Sequence, residues 1–404
     1  MKPTSRFRRL AMASVASISV VTALVACAPE GSTSDDPFVV LYVGGVTGPY
    51  QTPVQANIQG LKAAAVYVNE TDGGIDGRKI QVQYLDSQGD PTRAVSLLQE
   101  ALNSDTPPDF VIPGGISPET LAMVPVLTRA EVPSFAYAAS PLLNDPAEYP
   151  YHFQTTTNSY NQLATALVDL VNDRGIKKLS VITSQDEYGN GISASINGIL
   201  QGKGVEIIET RFVPTDLDLT PYYQKALNDN PDFIYLDTSG DSAVRLLQAR
   251  VSAGATDIPT AAGSGMSLVS GGPWAYGSEE ANKNLSILMF KIEQAQPESE
   301  WTPMFAKARE LIQAQGEIKG SFSSLGLAWD QIRLIQAVYK TPGVADDPQA
   351  FVDALYNLEV EDGYWLTASS IKFTPTSHTV TPSTGDFLFG PTAPMENGQY
   401  QVNR

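Results

Sequence analysis

The sequence predicts an α/β protein of two doubly wound lobes, each a parallel sheet flanked by helices. Three observations carry that expectation. Short, continuous apolar runs recur without the alternation of a half-solvated sheet, as strands buried on both faces require. Stretches with apolar residues at helical spacing separate those runs, which implies parallel pairing through helical crossovers. The whole series then begins a second time near Asn158.

Taken in order, Val39-Val40-Leu41-Tyr42-Val43 is the first strand. Ile58, Leu61, Ala65 and Val68 follow at intervals of three and four, and Asp72-Gly73-Gly74 stops that helix. Residues 80–84 form the next strand, followed by a helix opening at Pro91, a strand at 110–112, a helix from Pro118 and a strand at 133–136. The second series runs from a helix marked by Leu163, Leu167 and Leu170 to a strand at 179–182 and a helix at 192–200. It continues with a strand at 205–208, a helix at 222–227, a strand at 233–236, a helix at 242–253 ending at Gly254, and a strand at 285–290. Helical patterns at 303–315, 325–339 and 348–358 have no strands between them, so they return to flank existing sheets. The tail from Ser370 is rich in Pro, Thr, Ser and Gly and reads as irregular, with a short strand at Ile371-Lys372-Phe373. This division gives residues 38–157 plus 291–364 to the first lobe and 158–290 plus 365–404 to the second.

The amino terminus reads differently. Lys2, Arg6, Arg8 and Arg9 precede an apolar run from Leu10 to Ala26, and Cys27, the only cysteine in the chain, follows it. A positive start, a short apolar middle and small residues at the cut describe a secretory signal over residues 1–26. The run is shorter than the ~20 residues a membrane span needs, and Ser14, Ser17, Ser19 and Thr22 interrupt it. A cysteine directly after Leu24-Val25-Ala26 reads as a lipobox, whose thiol carries a diacylglyceryl group that anchors the mature protein to a bacterial membrane from outside. Residues 27–37, with Pro29, Gly31 and a run of Ser, Thr and Asp, form a flexible tether.

Composition removes whole classes of function. The chain holds 26 Lys and Arg against 44 Asp and Glu, a net charge of −18. Loss of the signal removes four positive charges and no acids, which argues against nucleic acid as a partner. The two histidines, His152 and His378, have no Cys or acid at metal-ligand spacing, so both read as structural and no metal or cofactor is expected. Gly263-Ser264-Gly265 lacks the third glycine of a dinucleotide loop. Ser369-Ser370-Ile371-Lys372 has the Ser-x-x-Lys spacing of some serine enzymes but lies in the irregular tail without a supporting motif. Gly271-Gly272-Pro273-Trp274 reads as a turn whose Trp packs on a lobe.

In doubly wound sheets ligands bind at the carboxyl ends of the strands. In the first lobe that rule selects Thr47-Gly48-Pro49-Tyr50, then Gly114-Gly115-Ile116-Ser117-Pro118-Glu119-Thr120, then Ala138-Ala139-Ser140. Ser117 suits a helix cap and Pro118 a first helical position, and such a helix start attracts an anion. The second lobe offers Asp186-Glu187-Tyr188-Gly189, Asp237-Thr238-Ser239-Gly240-Asp241 and Gly263-Ser264-Gly265-Met266-Ser267. Each has a plainer reading, since any strand-to-helix loop uses Gly, Ser and Asp for turns and caps.

These residues also carry a family resemblance. Thr47-Gly48-Pro49-Tyr50, Asn69 and Gly73-Gly74-Ile75-Asp76-Gly77-Arg78-Lys79-Ile80 resemble the amino-terminal signature of type I periplasmic binding proteins, in particular the leucine/isoleucine/valine-binding group that serves ATP-driven importers. Asp86, Asp90-Pro91, Ala94-Val95, Val132-Pro133, Tyr188-Gly189-Asn190-Gly191, Pro231-Asp232 and Leu327-Ala328-Trp329-Asp330 continue it. The resemblance implies two lobes hinged around a ligand cleft, an extracytoplasmic lipid-anchored monomer rather than an enzyme, a small polar or carboxylate-bearing solute, and ABC transporter permease subunits as partners. It places Ser117 on the ligand carboxylate, the backbone of Ala138, Ala139 and Ser140 beside it, and Tyr188 over the ligand on closure; Tyr50 and Thr120, in the selected loops, are further candidate ligand contacts. There is one departure. Ser264 stands where amino-acid-binding members hold the ligand ammonium with an acid, so either Asp237 or Asp241 takes over or the ligand has no amine. An extracellular hydrolase, or a sensor presenting its ligand to a signalling partner, is the alternative.

Overall fold

Seven residues buried at every position but one form β1, Phe38–Gly44, in a five-stranded sheet. The computed structural model describes residues 36–155, 160–267, 278–318, 320–368, 370–380 and 387–402, with 160–165, 264 and 267 as backbone only. Residues 1–26, read above as a signal, Cys27, most of the expected tether, Ser369 and residues 271–274, read as a turn, lie outside the described residues. All pairings in the first sheet are parallel, in the order β2 (Ile80–Asp86), β1, β3 (Phe110–Ile112), β4 (Ser134–Ala136), β5 (His152–Gln154). The crossovers are α1 (Gln51–Thr71), α2 (Pro91–Leu102) and α3 (Ser117–Arg129). The Asp90 carboxylate caps α2 by accepting from the amides of Thr92 and Arg93, with Pro91 opening the helix. Helix α3 begins one residue earlier than its sequence implies: Ile116, not Ser117, occupies the cap. Pro118 tolerates this because first-turn amides have no intrahelical partner to lose.

The second lobe repeats the plan. Its strands are β6 (Lys178–Ser184), β7 (Glu206–Phe212), β8 (Phe233–Asp237), β9 (Thr260–Ala262), β10 (Leu285–Phe290) and β11 (Phe387–Pro391), ordered β11-β10-β9-β8-β6-β7. Only β11 runs antiparallel, on the edge beside β10. Helices α4 (Tyr160–Arg174), α5 (Glu187–Leu200), α6 (Thr220–Leu227) and α7 (Asp241–Ser252) pack around that sheet. Strand β7 runs four residues past its apolar core, pairing as far as Phe212 with Ser184. It is an edge strand, so Glu209 and Arg211 face outward while Thr210 and Phe212 are buried.

The late helices, Pro303–Ala314, Phe322–Tyr339 and Pro348–Tyr356, all feed the first lobe's core. The middle one is buried almost along its length and lies against α1 so closely that a Cβ on Gly60 would sit 2.2 Å from the Leu325 carbonyl oxygen. Its Asp330 carboxylate, fully desolvated, accepts from the Leu366 amide at 2.6 Å and from the Thr367 amide and hydroxyl at 2.8 and 2.6 Å. The chain after the third helix is thereby pinned to the first lobe. Tyr364, Trp365, Ile371, Phe373 and Val380 belong to the first core, so the expected transfer at residue 365 falls later, and the chain joins the second sheet only at Phe387. Ile371-Lys372-Phe373 is not a strand: Thr379 bridges Gln154, and the peptides of His378 and Val380 take the hydrogen bonds along β5. Phe373 instead packs edge-on against Phe153 at 5.0 Å.

Both histidines sit in this same corner. His152 Nδ1 lies 2.9 Å from Ser134 Oγ, and His378 stacks on Phe153 at 3.9 Å with Nε2 2.6 Å from Tyr356 Oη. Burial pushes the His152 imidazole down to about 3 and lowers His378 too, so both are neutral packing groups.

Candidate functional site

Each sheet has one place where successive crossovers leave in opposite directions. In the first it lies between β1 and β3, in the second between β6 and β8. Such switch points open a crevice at the strands' carboxyl ends. Here the two crevices face one another across a cavity of about 60 Å³. The first lobe contributes Tyr50 and Pro53 after β1, Gly115, Ile116, Ser117 and Pro118 after β3, and Tyr137 and Ala139 after β4; the second contributes Asp186 and Tyr188 after β6 and Ser239 after β8. A larger open depression of about 1010 Å³ around Pro259, Leu285 and Pro391 lies at the amino ends of β9 and β10, away from the switch point.

The lobes meet around this cavity. Ser140 Oγ, fully buried, donates to Glu187 Oε1 at 2.6 Å, joining the loop after β4 to the first turn of α5. Gly240, at φ +68°, brings the loop after β8 so near that a Cβ there would lie 2.6 Å from the Pro49 carbonyl oxygen and 3.3 Å from the Tyr50 ring. Only glycine fits both the backbone angle and the gap.

Three tyrosines, Tyr50, Tyr137 and Tyr188, stand in the wall among small, apolar and hydroxyl residues, and Asp186 is its one acid. Burial raises the Tyr50 hydroxyl to about 12, with Asp186 and Glu119 adding repulsion against its anion. Glu119, in the first turn of α3, is buried, bonded by the Ser87 hydroxyl, and raised above its ordinary value chiefly by desolvation. It braces the loops after β1 and β2 behind Tyr50. Tyr137 is 8% exposed, and its hydroxyl and that of Tyr42 have no partner among the described residues.

Of the sequence-selected residues, Tyr50, Ser117, Ala139 and Tyr188 line the cavity. Thr120 does not: its Oγ1 lies 2.8 Å from the Pro113 oxygen and 3.0 Å from that of Ile116, closing the first turn of α3. The Ala138 carbonyl is taken by Gln154 Nε2 at 2.7 Å. Ser140 bonds Glu187 rather than facing the cavity. Asp237 lies behind Tyr188, with Oδ1 accepting from Tyr188 Oη at 3.1 Å and Oδ2 from Tyr235 Oη at 3.0 Å. Burial lifts this carboxyl to about 7 against those hydrogen bonds. Asp241 is an exposed residue opening α7, and the Ser264 side chain lies outside the described residues. Asp186 and Ser239 stand in the selected loops but are not among the candidate ligand residues, and Tyr137, directly after β4, lies just outside the selected Ala138–Ser140 loop; all three line the cavity.

No described helix is long and apolar enough to cross a membrane. Among the described residues no group of three His, Cys, Asp or Glu could hold a metal ion.

Comparison with known proteins adds three findings. The family model for periplasmic binding proteins matches residues 39–384. The leucine-specific-binding protein of Salmonella typhimurium is 22% identical over 218 residues, 54% of this chain and 58% of that protein; the Leu/Ile/Val-binding protein of Escherichia coli K12 is 21% identical over 197 residues, 48% and 53%. The chain thus spans about half the length of the curated relatives it matches. Among solved structures, an extracellular ligand-binding receptor from Rhodopseudomonas palustris HaA2 superposes with a TM-score of 0.74 at 18% identity over 91% of this chain and all of that one. A solute-binding protein from R. palustris in complex with 4-hydroxybenzoate gives 0.72 at 18% identity over 88% and 96%. The substrate-binding protein LivJ from Streptococcus pneumoniae with isoleucine gives 0.69 at 19% identity over 90% and 98%. These structural likenesses are of fold.

Proposed function

This chain belongs to the periplasmic binding protein family, and from that premise we propose that it is the solute-capturing lipoprotein of an ATP-driven importer. Exported on its signal segment and anchored through Cys27, it takes up a small solute between its lobes and presents the closed form, as a monomer, to permease subunits. The observation that carries this reading is the cavity walled by both switch points at once, with Ser117 on one side and Tyr188 on the other. A solute there touches both lobes only when they are closed, so binding selects the closed state.

The roles follow from position. The start of α3, with the Ser117 hydroxyl and first-turn amides, takes an anionic group such as a carboxylate. Ala139 has no bulk to hold the backbone away. Tyr188, its hydroxyl bonded to Asp237, covers the ligand from the second lobe, and Tyr50 and Tyr137 frame it from the first. Both histidines are committed to packing and hydrogen bonds beside β5, away from this wall, which supports capture over turnover.

The test is a thermal-shift screen of the purified protein against amino acids, amides, ureas and aromatic acids, with the compound recovered and identified afterwards. The expected result is a ligand that raises the melting temperature and returns unaltered. At a hundred times its dissociation constant it adds about 2.7 kcal/mol. A compound consumed during incubation would overturn the reading in favour of a hydrolase.

A further inference from the structure

The cavity wall is bare at Gly115, and two buried phenols stand beside that bare point. A Cβ there would lie 2.9 Å from Tyr42 Oη, 3.1 Å from Asn57 Oδ1 and 3.8 Å from the Tyr137 ring. The Tyr42 hydroxyl thus takes the place that a side chain at 115 would fill. We propose that the Tyr42 and Tyr137 hydroxyls form a specificity recess for a second polar group of the solute, an uncharged hydroxyl or primary carboxamide. This rests on the solute-capture reading above, in which the first polar group meets the start of α3.

Neither hydroxyl has a hydrogen-bond partner among the described residues, although Tyr42 is fully buried and Tyr137 nearly so. Buried hydroxyls are normally bonded, and one left unbonded costs free energy that a solute reaching it recovers. Asn57 adds an acceptor: its Nδ2 donates to the Ser324 carbonyl at 3.0 Å, which turns Oδ1 toward Gly115. Two hydroxyls that donate or accept, beside an amide oxygen that only accepts, fit a group with both functions. Charge does not fit. Burial keeps both phenols neutral, with Glu119 adding to the effect at Tyr42, and Tyr42 and Asp330 adding to it at Tyr137. An anion would meet those acids with no Lys or Arg in the wall. A cation would find the Asp330 oxygens already held by the Leu366 and Thr367 amides and Glu119 bonded by Ser87. A purely apolar group would cover both hydroxyls and leave them unbonded.

Titration calorimetry with near-isosteric pairs decides the matter: L-threonine with L-valine, L-asparagine with L-leucine, and 4-hydroxybenzoate with 4-methylbenzoate. Wild type should bind the polar member of at least one pair about tenfold or more tightly than its partner, since a site built to bond a hydroxyl or amide rejects the analogue without one. Tyr42→Phe and Tyr137→Phe keep the rings, and in at least one of them that preference should fall by about fivefold or more. Without solute, both variants should melt no lower than wild type, because the deleted hydroxyls have no partner among the described residues. A polar preference below about tenfold in every pair, or one that survives in both variants, overturns the inference and leaves solute capture standing. So does a lower melting temperature in both variants with affinity unchanged, the mark of hydroxyls that hold a structural water. If no compound of the panel binds, the inference falls; if the broader screen also yields none, the reading beneath it falls too.

Discussion

Breaking the Ser140–Glu187 hydrogen bond should weaken solute binding without touching the solute. The bond joins the two lobes at 2.6 Å, with Ser140 fully buried and Glu187 half-buried. A hydrogen bond to a charged group contributes about 1.5–3 kcal/mol. Glu187 remains partly solvated, and both groups recover water when the lobes open, so the net bias toward closure is about 1–2 kcal/mol. That bias is lost from the binding free energy, a rise in Kd of roughly five- to thirtyfold. Ser140 also accepts from the Leu142 amide at 3.3 Å, so Ser140→Ala alone costs local stability as well. A double-mutant cycle of Ser140→Ala and Glu187→Ala, read by calorimetry with the strongest ligand from the screen, removes that side effect. The expected outcome is a coupling energy of about 1–2 kcal/mol in the binding free energy. Strictly additive losses, or a Kd unchanged in Glu187→Ala, would refute the idea that this contact belongs to a closed state in exchange with an open one.

Three further outcomes are expected. Gly240→Ala places a Cβ 2.6 Å from the Pro49 oxygen at a φ of +68°, so unfolding stability drops by about 1–3 kcal/mol and solute affinity drops more than tenfold as the gap is wedged; calorimetry showing unchanged affinity contradicts this. Asp237 and Glu293, raised by burial to about 7, and Asp330, raised to about 6, keep their protons in the folded state after the unfolded chain has lost them near pH 4. Their contribution is therefore full below about pH 4 and lost as pH rises to about 7, each with a slope of up to about 1.4 kcal/mol per pH unit. Urea midpoints should fall from pH 5 to pH 8, and the fall should be shallower in Asp237→Asn; a midpoint that rises over that range sinks the argument. Asp330→Ala leaves the amides of Leu366 and Thr367 without their acceptor inside the first core, and urea titration should find it less stable by about 3 kcal/mol or more; a loss under 1 kcal/mol would mean that the 364–380 segment holds by apolar packing alone.

The residues that announced the fold were those whose local preference and final environment agree. Val39 to Val43 is continuous because β1 is buried, and Pro91 and Pro303 open helices because each follows a capping Asp or Thr. What the sequence hid was long-range. Nothing local to Ile371 or Phe373 says that the chain at 378–380 has already taken the hydrogen bonds beside β5. Nothing local to Trp365 says that Asp330 holds the next two amides. The strand-end rule found the right loops but not which side chain in each turns inward. Thr120 and Ser140 are spent on backbone and interlobe bonds, while Tyr137 and Asp186, in the same loops or next to them, face the cavity. The sequence leaves Asp237, which ends β8, and Asp241 as alternatives for a ligand amine; only the two tyrosine hydroxyls on the Asp237 oxygens show that it supports Tyr188 instead, and Asp241 is exposed.

The claim that two lobes shut on a solute is tested most directly by a distance across the cleft. Replacing Cys27 with serine leaves a chain without cysteine, and single cysteines at the exposed positions Gln99, in α2, and Lys203, past α5, accept a donor and acceptor dye. Saturating solute should raise energy transfer, and its removal by dialysis should restore the starting value. A compound that calorimetry shows to be bound while the distance stays fixed would contradict the account.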